Sequence, residues 1–213
     1  NQYEIEEGDI YNEIVFNKTI NNLKSLNFFK DVSGKISEPS QSASDEITID
    51  ILVEEKPTGE IGASAGGGTN GATAGFFIRE NNYLGIGLGL SAEMILNSES
   101  IKGTFALTNP NYNDTDKSVY FKIEAAEDDK LKNFGYKTKR TGFTYGTSFE
   151  FLDDFEIGVG NSNYLQDIET NSNASSLQKK QAGNYYDSFL NLDFTHDKRD
   201  QKFNPTSGFI NYY

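Results

Sequence analysis

Residues 84–94 read LGIGLGLSAEM. Leu84, Ile86, Leu88, Leu90, Ala92 and Met94 fall on one side of an extended chain, and Gly85, Gly87, Gly89, Ser91 and Glu93 on the other. Successive side chains of a β-strand point to opposite faces, so the run predicts a strand with one greasy and one small or polar face. The pattern returns from Gly142, with Phe143, Tyr145, Thr147, Phe149 and Phe151 against Thr144, Gly146, Ser148 and Glu150. It returns again with Val119, Phe121, Ile123 and Ala125 against Tyr120, Lys122 and Glu124, and with Leu190, Leu192 and Phe194 against Asn191, Asp193 and Thr195.

Working outward, such segments recur near 59–66, 72–80, 84–96, 100–109, 117–128, 138–151, 155–163, 188–196 and 207–213. No further helix is expected after Pro57. Starting near Glu80, every second connection is compact or proline-bearing: RENNY, NPNYND at 109–114, LDDF at 152–155 and DKRDQKFNPTS at 197–207. The intervening ones include the longest, LKNFGY at 131–136 and the polar stretch 165–187. Short turns on one side and longer loops on the other are what an up-and-down meander shows when its ends face different compartments.

A soluble sandwich also alternates. Here the polar sides carry Gly, Ser and Thr as often as Lys or Glu, as a lumen wall would. The greasy sides carry Phe76, Tyr83, Tyr112, Phe143, Phe151, Phe155, Tyr164, Tyr185 and Phe209, read as an interfacial girdle. Strands of about ten residues suit a tilted bilayer crossing. The predicted class is mainly β, a transmembrane antiparallel barrel, with the soluble sandwich as the alternative.

Composition narrows function. Nineteen Lys and Arg against 32 Asp and Glu give 213 residues a formal charge of −13, which argues against nucleic acid as a partner. There is no cysteine and one histidine, His196. A single histidine is weak support for zinc, and no motif supplies a serine for a triad. His196, Asp197 and Asp200 therefore read as a strand end and turn. The acid pairs Glu54-Glu55, Asp128-Asp129 and Asp153-Asp154 read as solvated charge. Neither catalytic residues nor metal ligands nor a cofactor are expected, and the protein is read as not an enzyme.

Residues 1–57 are mixed. Phe16, Ile20, Leu23 and Leu26 recur at near-helical spacing after Asn12, a suitable N-cap, and the helix should stop near Asn27. Strands are predicted at 32–37 and 46–55, with Ile47, Ile49, Ile51 and Val53 on one face and the polar loop EPSQSASD between them.

GDIYNEIVFNKTINNLKSLNFFKDV at 8–32 followed by ITIDILVEEKPTGEIGASAGGG at 47–68 resembles the junction of the last POTRA domain and first barrel strand in the Omp85 superfamily, in those members that form the bacterial outer-membrane β-barrel assembly machinery. NNYLGIGLGLS, TNPNYN and HDKRDQKFNPTSGF are similar to later turns of the same family. The likeness is collinear and departs at Asn27, where the family usually has Gly, and at Asn111. It implies that 1–57 is the C-terminal part of a POTRA domain, built β-α-α-β-β, and that 58–213 holds the N-terminal strands of an outer-membrane barrel, about nine of sixteen. It implies insertion of β-barrel proteins into the outer membrane. The implied partners are unfolded outer-membrane clients, accessory lipoproteins and outer-membrane lipid, with the POTRA part in the periplasm. A related exporter that conducts an unfolded passenger is the alternative.

The stretch Gly59, Glu60, Ile61, Gly62, Ala63, Ser64, Ala65, Gly66 and Gly67 is the candidate site. Glycine weakens strand packing and register, so such a strand opens or exchanges readily. A flexible, dispensable edge is the other reading of the residues themselves. In the family this strand is a lateral gate whose edge templates an incoming strand by β-augmentation.

Overall fold

A computed structural model describes residues 5, 7–37, 47–68, 71–200 and 205–213. The chain divides into two compact units, Asn1–Thr58 with Arg199–Gly208, and Gly59–Lys198 with Phe209–Tyr213.

In the first unit, α1 (Glu13–Ser25) begins where Asn12 accepts a bond from the Ile14 amide at 2.9 Å. It ends ahead of Asn27, which takes the left-handed conformation with φ of 58°. Asparagine tolerates positive φ better than most side chains, which suits it to this stop. β1 (Phe29–Ser37) and β2 (Thr48–Glu55) pair antiparallel, with Val32 opposite Val53 and Ile36 opposite Ile49. Ile20, Leu23 and Val32 are buried together, flanked by Phe16, Leu26, Phe29 and Ile51. Gly34 leaves room for the Phe16 ring, which a Cβ there would strike. β1 starts three residues earlier than expected, at Phe29. Residues 38–46, covering the expected loop and the first residue of the second strand, lie outside the described residues.

The second unit is one antiparallel sheet of nine strands in chain order. These are β3 (Gly59–Gly68), β4 (Gly71–Tyr83), β5 (Leu88–Asn97), β6 (Ser100–Asn109), β7 (Lys117–Lys130), β8 (Tyr136–Leu152), β9 (Phe155–Thr170), β10 (Gly183–Asp197) and β11 (Ile210–Tyr212). Each pairs with its sequence neighbours, and β3 and β11 are the outermost strands. Among the described residues all nine strands of this unit belong to the one sheet.

Four sequence expectations need correction. The strand expected to start at Leu84 starts at Leu88, because Leu84, Gly85 and Gly87 have φ of 61°, 73° and 70°. Asn82 holds that turn, its side chain accepting from the Gly87 amide at 2.7 Å. The polar stretch 165–187 is strand at both ends, around a connection at 171–182: Leu165 pairs with Tyr186 and Ile168 with Gly183. Helices do recur after Pro57, as α2 (Leu131–Phe134), ended by Gly135 with φ of 77°, and α3 (Ser176–Lys180), opened by a Ser175–Gln178 capping box. Short and long connections do not segregate: one rim holds the short 153–154 and the longer 110–116, the other the short 98–99 and the long 171–182.

Candidate functional site: the edge strand and the two faces of the sheet

Strand register sorts the side chains into two faces. Met94 stands opposite Phe76, Ala92 opposite Phe105, Phe105 opposite Ile123, and Ile123 opposite Phe143. This apolar face is open to its surroundings; Phe143 is 42% exposed and Tyr145 50%. The opposite face is polar and packed. Thr144 and Ser162, both 7% exposed, share a hydroxyl bond of 3.0 Å, and Asn191 donates to Ser162 at 2.8 Å. Lys122 pairs with Glu124 at 2.9 Å, and Arg140 lies 3.7 Å above the Tyr164 ring. A sheet that packs hydroxyls and exposes aromatics inverts the arrangement of a soluble domain. It is the pattern of a wall with lipid on one side and water on the other.

Two aromatic residues assigned to the girdle lie elsewhere. Tyr164 is buried on the polar face, opposite Gly142 and beneath Arg140, and Tyr185 faces the same way, opposite Gln166. A glycine on the neighbouring strand opens a slot that an aromatic ring fills. Across β9 and β10 the apolar face carries a polar island. Asn163 accepts from the Tyr186 hydroxyl at 2.6 Å and from Ser188 at 3.0 Å and donates to Asn161, whose amide reaches the Phe189 carbonyl at 3.0 Å. These groups satisfy one another, as polar groups on a lipid-facing wall must.

The expected site residues all lie on β3. Among the described residues this strand pairs with β4 alone. Its polar-face residues Glu60, Gly62, Ser64 and Gly66 stand opposite Arg79, Phe77, Gly75 and Thr73; Gly59, Ile61, Ala63, Ala65 and Gly67 lie on the other face. Ile61 is 83% exposed. Beside Ala65, Ala72 and Ala74 the short side chains leave a depression of about 410 Å³, bordered by Leu96 and Asn97. A Cβ at Gly59 would come 2.7 Å from the Glu80 carboxylate and one at Gly62 would strike the Phe77 ring, whereas one at Gly66 or Gly67 would meet no described atom within 4 Å. Sequence reading missed Phe77 and Arg79 as the groups that hold this strand. Counting back from the Gly68–Gly71 pair sets them opposite Gly62 and Glu60.

His196 sits in an aromatic cluster, edge-on to Phe209 at 5.3 Å and 6.0 Å from the Phe155 ring. Asp200 accepts from the Thr206 and Ser207 amides, at 3.0 Å and 3.2 Å, and shapes a turn. The acid pairs meet lysines at the surface, Glu54 with Lys30, Asp129 with Lys137 and Asp154 with Lys198.

A family model for the Omp85 superfamily domain matches residues 82–212, more than half of the chain. The chain belongs to the Omp85 superfamily. Among solved structures of similar fold, "The crystal structure of BamA from Haemophilus ducreyi lacking POTRA domains 1-3" matches with a TM-score of 0.72 and 17% identity, over 97% of this chain and 42% of that one. CdiB from Acinetobacter baumannii matches with a TM-score of 0.51 and 13% identity, over 92% of this chain and 40% of that one. The chain spans about two-fifths of the length of these structures. At such identities the likeness establishes the fold, and the superfamily's outer-membrane barrel agrees with the face that exposes aromatics. As an Omp85 chain with this fold, it is assigned to the bacterial outer membrane.

Proposed function

We propose that this Omp85 chain assembles and inserts β-barrel proteins into the outer membrane, with β3 as a lateral gate whose edge templates the client's strand. One observation carries the reading: eight of the ten residues of β3 are Gly, Ala or Ser, so most of the strand offers a neighbour its backbone and little side chain to grip. Backbone groups along such an edge recruit a strand of any side-chain sequence, at about 0.5–1.5 kcal/mol net per hydrogen bond. Residues 1–57 are read as the C-terminal part of a periplasmic POTRA domain that hands over extended clients, aided by accessory lipoproteins. Residues 58–213 are read as opening strands of the barrel. The protein acts without catalysis or a cofactor; the client's own folding supplies the free energy.

A second reading, conduction of an unfolded passenger through the lumen, is favoured by the polar face and its charged lining, including Lys122, Glu124 and Asp193. Photocrosslinkers placed singly at Ala63, Ala65 and, as a control, Leu107 in the full-length protein separate the two. Templating predicts adducts with a denatured barrel client from β3 and none from Leu107. A client that crosslinks only to lumen positions such as Lys122, and blocks ion conductance, would establish the exporter instead.

A further inference from the structure

The β3–β4 hairpin is held unevenly along its polar face. At one end, Arg79 Nη1 lies 3.2 Å from Glu60 Oε1, and its guanidinium carbon lies 4.6 Å from the centre of the Phe77 ring. Phe77 in turn fills the space above Gly62. Glu60 and Arg79 face each other across the ladder, as do Gly62 and Phe77, so the contacts join two consecutive rungs of one face. Midway, Ser64 covers Gly75. At the far end Gly66 faces Thr73 and Gly68 faces Gly71, and no described atom comes within 4 Å of a Cβ at Gly66, Gly67 or Gly68. Those residues lose the most backbone freedom on pairing and gain no side-chain packing for it.

We propose that Arg79 is a positioning residue: through Glu60 and Phe77 it clasps the Gly59–Gly62 end of β3 to β4, so that the strand loosens first at its Gly66–Gly68 end. The planar guanidinium suits both contacts at once, a carboxylate in its plane and a ring beneath it. Reception of a client strand at the loosened end rests on the function proposed above; the clasp itself does not.

Amide hydrogen exchange of the full-length protein, folded in phospholipid vesicles with no client present, tests it. In the unaltered protein the amides of 59–64 exchange more slowly than those of 66–68. Arg79→Gln raises exchange at 59–64 by about three- to ten-fold, the span expected for losing one half-exposed ion pair and one cation–π contact. It leaves 66–68 and the β8–β9 ladder unchanged. Arg79→Lys recovers part of the protection, and so does the double exchange Glu60→Arg with Arg79→Glu. Heat-dependent gel mobility verifies that each variant is folded. Should Arg79→Gln fail to fold, Glu60→Gln, which keeps the arginine over the ring, gives a smaller rise confined to the same end. Equal exchange at both ends of β3, a rise spread over the whole sheet, or no rise at all overturns the clasp. A protected first end in a protein whose clients crosslink nowhere on β3 would sink the gate and leave the clasp standing.

Discussion

The Tyr120 hydroxyl lies over Gly160, two strands away: a Cβ on that glycine would come 2.5 Å from the oxygen. Gly146, on the strand between, would bring a Cβ 2.6 Å from the same hydroxyl. The tyrosine therefore lies flat along the polar wall in a trough that two glycines keep open. Gly160→Ala forces Tyr120 or the strands apart and should cost about 1–3 kcal/mol, the usual range for overpacking. Gly66→Ala enters open space at an ordinary backbone angle and should stay within about 0.5 kcal/mol of the parent. Urea unfolding of the full-length protein from vesicles checks both. A double-mutant cycle with Tyr120→Ala should return most of the Gly160→Ala loss.

The two faces of the sheet should answer oppositely to one substitution. Phe121 is on the apolar face, its ring stacked 6.3 Å from Phe143. Phe121→Lys places a charge in hydrocarbon and should cost about 2–4 kcal/mol near the bilayer midplane. Thr104 is on the polar face between Glu93 and Glu124 in the ladder. Thr104→Lys meets carboxylates and water, and its effect should lie within about 0.5 kcal/mol. Equal losses for the two variants in vesicle unfolding would contradict the assignment of faces.

The polar island on the apolar face gives a third prediction. Asn163→Ala removes the acceptor of Tyr186 and Ser188 and the donor to Asn161 at once. Orphaned groups facing lipid should cost about 1–3 kcal/mol. Tyr186→Phe, which removes one donor and leaves Asn163 bonded to Ser188 and Asn161, should cost less. Parallel urea titrations in vesicles read the difference.

Much of this architecture could be read from residue order. The cap at Asn12, the stop at Asn27 and the apolar stripe from Phe16 to Leu26 express local rules, and α1 follows them. Strand alternation likewise survives wherever the backbone stays extended. It fails at Leu84 to Gly87, where a greasy residue still falls at every second position but the glycines and Leu84 turn left-handed. It fails also for Tyr164, since which face an aromatic occupies depends on the register that sets Gly142 opposite it. The stretch 165–187 looked like loop because its strands carry Asp, Gln, Asn and Tyr, and they are strands because each pairs with a neighbour already in place. The composition of β3 pointed to a weak edge, while the uneven grip of Glu60, Arg79 and Phe77 needed the pairing of β3 with β4 to become visible.

The most direct measurement locks the edge. These 213 residues contain no cysteine, so one can be placed at Ala63 of the full-length protein and another on the strand that meets β3 in the closed barrel. Assembly of a denatured barrel client is then timed in vesicles, oxidised and reduced. A templating gate predicts that oxidation halts assembly and reduction restores it; assembly at the same rate in both states would contradict it.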